Sequence, residues 1–379
     1  VSAAAAAVVL AGTVAASAAI THELWPGSVS TRATSFQLPQ PTTPGSGSSG
    51  STGSGSTDAS AIAAKVAPDL VDINVNFGYQ QAAGAGTGIV LTSDGEILTN
   101  NHVINGATSI SVVDIGNGRT YSANVVGYDP SNDVAVLQLV GASGLQTASI
   151  GNSSRVGVGD SVVAIGNAGG TGGTPSAAAG SVTALNQAIT ASDQLDGTSE
   201  NLTNLIETNA DVQAGDSGGS LVNTSGQVIG IDTAASSGYS LQSANGTTSQ
   251  GYAIPINQAL SIARQIEAGT ASSTVHVGPT AFLGVLISSG SSSPFGGFSS
   301  GSTSGATIAG VTPGGAAATA GLAAGDVITS VDGQSLSSAS TLSRIIGSDK
   351  PGQSIQVAWT DANGASHTTT VTLQSGPPA

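Results

Sequence analysis

The sequence predicts a mainly β protein: two small antiparallel barrels of about six strands each, followed by a separate α+β module. Three observations predict this. Val71-Asp72-Ile73-Asn74-Val75-Asn76-Phe77 alternates apolar and polar residues, the period-2 pattern of a half-buried strand, and further short runs of strand character follow it. Turn signals such as Ser93-Asp94-Gly95 and Gly116-Asn117-Gly118 separate those runs. Charged residues make up only 8% and aromatics 3%, while small residues dominate, which suits tight turns rather than a large helical bundle. A chain of 379 residues has room for two to three domains, at roughly 100–200 residues each.

Residues 1–20 carry no charge and are mostly Ala and Val, which reads as the apolar part of an export signal or a short membrane anchor. Ala16, Ala18 and Ala19 offer small residues for cleavage, but basic residues are missing before them, so both readings stay open. Residues 21–57, rich in Gly, Ser and Pro, form a disordered linker, because such a composition cannot bury enough apolar surface to fold. Order begins near Asp58, with a short helix over 59–67 stopped by Pro68. After Val71–Phe77, strands are expected at 87–91, 96–99, 109–114, 121–129 and 134–139, giving a barrel over about 70–150. A second set at 160–166, 178–185, 205–208, 219–222, 228–233 and 251–254 gives a barrel over about 155–255. A helix after Pro255 closes this 58–272 domain. Asn257 is its expected cap, Leu260, Ala263 and Ile266 share one face, and Gly269 ends it. Residues 280–375 read as the separate module, with a helix near 338–346 that turns Leu342 and Ile345 inward, a strand at 354–360, and a disordered Gly/Ser insertion over 288–305.

A net charge of −15, from 22 acids against 7 bases with no basic stripe, excludes nucleic acid as a partner. The absence of cysteine excludes disulfides, thiolate zinc sites and a cysteine nucleophile. No His/Asp/Glu cluster has metal-ligand spacing, and no cofactor or metal is expected.

Chemistry concentrates in Gln213-Ala214-Gly215-Asp216-Ser217-Gly218-Gly219-Ser220-Leu221. Glycine takes backbone angles that other residues avoid and lets a second chain come close. A turn of this kind can aim the N–H groups of Gly215 and Ser217 at one point, where negative charge on a carbonyl oxygen would be stabilised beside Ser217 Oγ. Serine needs a base and a carboxylate behind it. Of the four histidines, His22, His102, His276 and His367, His102 sits in a β-type run that ends in a polar turn, and Asp133 directly precedes an apolar strand. The order His, Asp, Ser is that of the chymotrypsin-type arrangement.

Three segments, Thr99-Asn100-Asn101-His102-Val103, Asn132-Asp133-Val134-Ala135-Val136-Leu137 and Gly215-Asp216-Ser217-Gly218-Gly219, resemble the active-site signatures of the high-temperature-requirement A (HtrA, or Deg) serine proteases. The resemblance implies two six-stranded, trypsin-like β-barrels with the site in the cleft between them. It extends to Gly86-Thr87-Gly88 before the second strand, and to the polar stretch 186–201, which resembles a mobile regulatory loop and reads on its own as a solvated hairpin. It also implies that Thr233, Ala234 and Ala235 pair with an extended substrate. Ala281-Phe282-Leu283-Gly284-Val285 and Gly321–Gly333 resemble a PDZ domain, so backbone N–H groups near Phe282, Leu283, Gly284 and Val285 would hold the carboxylate of a peptide C-terminus. An exported, envelope-located enzyme acting on unfolded proteins, and assembly as a homotrimer, are further implications of the resemblance alone.

The family often carries Asn before the nucleophile and Pro after the second glycine, where this chain has Asp216 and Ser220. In digestive relatives an Asp at that position pairs with a freed N-terminus. No zymogen cleavage site is placed to supply one here, which leaves the partner of Asp216 open. Asp211, six residues before Ser217, is where digestive proteases set the base of the side-chain pocket, and a carboxylate there would select Arg or Lys. The family resemblance implies small aliphatic side chains instead, with Asp211 turned elsewhere. A catalytically silent envelope chaperone or peptide sensor on the same fold is the alternative. A Gly/Ser-rich structural surface protein fails on the regular strand–turn pattern of 70–260.

Overall fold

The structure, a computed structural model, describes residues 58–79, 81–193, 199–233, 239–243, 251–287 and 305–378. The apolar stretch 1–20, the linker 21–57 and nearly all of the 288–305 insertion lie outside the described residues.

Helix α1 (Ala59–Val66) is capped by Asp58, whose carboxylate accepts the Ala61 amide at 3.1 Å, and Pro68 lies in the 3-10 turn that follows. The first barrel comprises β1 (Leu70–Phe77), β2 (Ala82–Val90), β3 (Glu96–Thr99), β4 (Ser109–Asp114), β5 (Thr120–Asp129) and β6 (Val134–Leu139). The order β5-β4-β1-β2-β3-β6 closes on itself because β5 also pairs with β6, and a closed ring has no free edge. The alternation read in β1 holds, with Val71, Ile73, Val75 and Phe77 buried. Asp72, on the opposite face, is buried as well. A one-turn helix, α2 (Asn101–Ile104), leaves the end of β3.

The second barrel comprises β7 (Ser161–Gly166), β8 (Ser176–Asp193), β9 (Ser199–Thr208), β10 (Ser220–Asn223) and β11 (Val228–Thr233), with β12 (Tyr239–Ser243) added outside and β13 (Gly251–Pro255) completing the ring. It closes through the β8–β9 pairing. β8 extends an expected strand: it runs over Ser176–Asp193 rather than 178–185, and it pairs with β9 across the described part of the stretch 186–201, which agrees with the hairpin reading of that stretch. Register shifts after Val182, Ala184 and Gln187 explain why the alternation was broken in the sequence, since a bulge inserts residues without ending the strand.

Helix α3 (Ile256–Glu267) buries Ile256, Ala259, Ile262, Ala263 and Ile266, and Gly269 follows it at φ 68°. Asn257 is not its cap. It lies in the first helical turn, and its side chain donates to Asn152 Oδ1 at 2.8 Å. Val66, Val134, Val163, Ile231, Ile256 and Ala263 belong to one apolar cluster, so the two helices and both barrels share a core. Each such Ile or Val contributes roughly 1.5–3 kcal/mol by leaving water.

The C-terminal module starts with β14 (His276–Val277), which adds to β5 of the first barrel. β15 (Thr280–Phe282) pairs with β22 (Gln374–Gly376). The remaining sheet orders β16 (Val285–Ile287), β17 (Ala306–Val311), β18 (Val327–Val331), β20 (Ser354–Thr360) and β21 (Ser366–Thr372), with β19 (Gln334–Ser335) on β18. Helices α4 (Ala316–Thr319) and α5 (Ala339–Ser348) complete it, and Leu342 and Ile345 point inward as the sequence predicts.

Candidate active site

β3 ends at Thr99 and the chain enters α2 two residues later, which puts His102 in the helix's single turn. The His102 amide donates to Asp133 Oδ1 at 2.9 Å, and its ring Nδ1 lies 2.9 Å from Oδ2 and 3.1 Å from Oδ1. Asp133 is fully buried at φ 52°, ψ 47°, a left-handed conformation that Asp tolerates better than most side chains. Asn100 Nδ2 donates to its carbonyl at 2.9 Å, and Thr233 Oγ1 donates to Oδ2 at 3.2 Å. A carboxylate held on Nδ1 puts the ring proton there and leaves Nε2 as the basic nitrogen.

Ser217 is buried, and its carbonyl accepts the Thr87 amide at 2.8 Å. The turn that carries it is pressed onto the end of β3. Gly218 sits at φ 83°, and a Cβ there would run into the Thr87 carbonyl and the Thr99 hydroxyl. Glycine is therefore required at 218, and its close approach brings the serine turn to the strand end three residues from His102.

The two oxyanion candidates are the N–H groups of Gly215 and Ser217, and each lies on a peptide whose carbonyl is held. Gly169 N donates to Ala214 O at 2.6 Å, and Gly219 N donates to Asp216 O at 2.7 Å. In a trans peptide the N–H points opposite the C=O, so these bonds set both donor directions. Gly215 itself is at φ 98°, and a Cβ on it would strike the Asn167 carbonyl. Thr87 Oγ1 donates to Gly215 O at 2.9 Å and accepts the Asn167 amide at 2.9 Å.

The partners of Asp216 are within the chain. Ser176 Oγ donates to Oδ1 at 3.1 Å, and the Gln213 amide donates to Oδ2 at 2.9 Å. Burial raises its carboxyl above the usual range, and those two bonds oppose the rise. Asp232, fully buried on β11, is pushed well above its ordinary value, first by burial and then by Asp216. Asp211 is exposed and accepts Gln213 Nε2 at 2.8 Å. The next residue, Val212, is half-buried, and a Cβ on Gly251 would strike its Cγ2 at 2.5 Å. Thr233 is fully buried against Asp133, while Ala234 and Ala235 lie outside the described residues.

In the C-terminal module, Leu283 O accepts the Ala317 amide at 2.8 Å and Gly284 O accepts the Thr312 amide at 2.9 Å. By the same geometry the N–H groups of Gly284 and Val285 face away from those contacts. Leu283 is buried. Phe282 instead stacks on Tyr79 of the first barrel, with ring centroids 5.4 Å apart. The sequence reading missed Thr87 as a polar bridge, although Gly86-Thr87-Gly88 stood out, and no sequence signal pointed to Ser176.

Residues 86–231 match the family model described as a trypsin-like peptidase domain, and residues 272–358 match the PDZ domain. Fold and family models together define a trypsin-like peptidase domain joined to a PDZ domain. The chain is 36% identical over 323 residues to the serine protease PepD of Mycobacterium tuberculosis, covering 82% of this chain and 65% of PepD. It is 36% identical over 281 residues to the periplasmic pH-dependent serine endoprotease DegQ of Escherichia coli, covering 73% of this chain and 57% of DegQ. A solved structure of the HtrA-type protease AlgW with a tripeptide is 31% identical, with 84% of this chain and 98% of that chain covered, at a TM-score of 0.45. The chain belongs to the HtrA (Deg) family of serine proteases. The matched region spans 65% of PepD and 57% of DegQ, so it covers less than two thirds of either relative.

Proposed function

We propose that this chain is a serine endopeptidase that cuts extended segments of unfolded or misfolded envelope proteins, with its PDZ domain taking peptide C-termini. The observation that carries the reading is the His102–Asp133 pair at 2.9 Å, with Asp133 fully buried. His102 Nε2 takes the proton from Ser217 Oγ as that oxygen attacks a peptide carbonyl, and then gives it to the leaving amine. Asp133 holds the imidazole in one tautomer and stabilises its cation. The amides of Gly215 and Ser217 receive the oxyanion, each such donor being worth roughly 3–4 kcal/mol. Water then releases the acyl-enzyme. The substrate strand lies along Thr233, Ala234 and Ala235. An exposed Asp211 beside a half-buried Val212 favours small aliphatic side chains before the cut. The periplasmic location given for DegQ supports an exported protein, and quality control of envelope proteins is the role proposed.

The test incubates the chain and its S217A variant with an unfolded protein and maps new termini by mass spectrometry. Cuts after Val, Ala or Ile that vanish in S217A are expected. Cuts after Arg or Lys would put Asp211 in the pocket. A substrate that stays whole but soluble with both forms would favour the silent chaperone instead.

A further inference from the structure

The loop 167–173 is the part of the site with least side chain of its own. Gly169, Gly170, Gly172 and Gly173 all have positive φ, between 63° and 92°. A chain this free loses much entropy on being fixed, so its conformation depends on anchors. Asn167 supplies two from within, its carbonyl to the Gly170 amide at 2.8 Å and its Oδ1 to the Gly172 amide at 2.7 Å. Two more come from the first barrel. Thr87 Oγ1 takes the Asn167 amide at 2.9 Å, and Asp72 Oδ2 takes the Gly173 amide at 3.1 Å. The loop's product is the 2.6 Å bond from Gly169 N to Ala214 O, which sets the plane of the Ala214–Gly215 peptide.

Asp72 is an expensive way to make one hydrogen bond. It is 3% exposed, and its Oδ1 has no hydrogen-bond partner among the described residues. Burying a carboxylate with an unmatched oxygen is unfavourable, and a strand position could have held an apolar residue at no such loss. We infer that Asp72 is a positioning residue: with Thr87 it anchors the 167–173 loop, and the loop holds the Gly215 N–H toward the substrate carbonyl. This rests on the endopeptidase reading above. It assigns the orientation of an oxyanion donor on the second barrel to a side chain on β1 of the first. Asp72 touches no reacting atom, so its loss acts on the transition state more than on substrate binding.

The test uses the full chain as wild type, S217A, D72A, D72N and T87V, with an internally quenched peptide substrate and a peptide boronate of the same sequence. The boronate adduct puts an oxygen where the oxyanion forms, which a merely structural role would not single out. D72A and T87V are expected to lower kcat about 10–100-fold, less than the loss of a whole donor. KM should stay within about threefold, and boronate affinity should fall in step with kcat. D72N, whose Oδ1 can still accept the Gly173 amide, should recover kcat to within about threefold of wild type. A folded D72A with wild-type kcat overturns the proposal, as does a D72A defect carried by KM alone. If D72A does not fold by circular dichroism, D72V, which suits a buried strand position and lacks the acceptor, is judged by the same two outcomes. A wild-type chain that leaves the peptide whole, or cuts it as S217A does, overturns the endopeptidase reading and this proposal with it.

Discussion

Tyr79 and Phe282 stack with ring centroids 5.4 Å apart and planes at 13°, which ties the segment after β1 to β15 of the PDZ domain. Two further contacts run alongside. Gly106 N, two residues beyond α2, donates to Pro378 O at 2.8 Å, and Tyr128 and Thr280 share a hydroxyl contact at 3.0 Å. Stacked pairs contribute about 0.5–1.5 kcal/mol beyond area burial. A double-mutant cycle of Y79A and F282A in urea should therefore give a coupling of about 1 kcal/mol. A coupling indistinguishable from zero would mean the rings touch without holding the domains.

The Asp133 carboxylate accepts from three groups of the site: the His102 ring, the His102 amide and Thr233 Oγ1. D133N keeps the shape but offers the ring an amide donor in place of a carboxylate oxygen, which favours the wrong tautomer. We expect kcat to fall by about 10⁴-fold with the fold intact. Steady-state kinetics alongside a thermal melt would check it, and a loss under tenfold would argue that His102 does not work through Asp133.

The legible parts of this molecule were those written in local order. His102 and Asp133 each stand beside an apolar strand, and Ser217 is bracketed by Gly215, Gly218 and Gly219, so residue type and spacing exposed them. Barrel strands with a clear local pattern, alternating in β1 and largely apolar in β6, were likewise readable. What escaped depends on register between distant strands. Ser176 reaches Asp216 across 40 positions, and Asp72 meets Gly173 across 101. β8 hid behind its own bulges, with Asn186 at φ 54° in the middle of the strand. The Asn257 cap failed because the helix begins two residues earlier than that cap requires, at Ile256 with Pro255 in the cap position.

Glu96, on β3, gives a pH-dependent stability. Burial, then the hydrogen bond and charge of Glu267, then Asp94, push its carboxyl from 4.5 to about 8. The folded form thus holds a proton that the unfolded chain releases near 4.5. The contribution is complete below that value and is lost as pH rises through about 8. E96Q cannot ionise. Its Tm should match wild type near pH 4.5 and exceed it above pH 8, in melts run across that range. Equal Tm values at alkaline pH would show that Glu96 ionises without penalty.

Asp232 sits directly behind the Ser217 turn, with its amide donating to Gly219 O and its carbonyl accepting from Gly218 N, both at 2.9 Å. Its side chain is fully buried, and burial and then Asp216 hold the carboxyl well above the usual range. The charge of Asp216 opposes ionisation of Asp232, and Asp216 itself takes the hydrogen bonds of Ser176 and Gln213. D232N replaces the carboxyl by a neutral amide of the same shape. It should leave kcat/KM within about threefold of wild type at neutral pH. Because the folded value is raised, wild-type stability is lost as pH rises, and D232N should unfold at higher urea than wild type at pH 9. A large loss of kcat/KM in D232N at neutral pH would mean that the turn needs the Asp232 carboxylate itself.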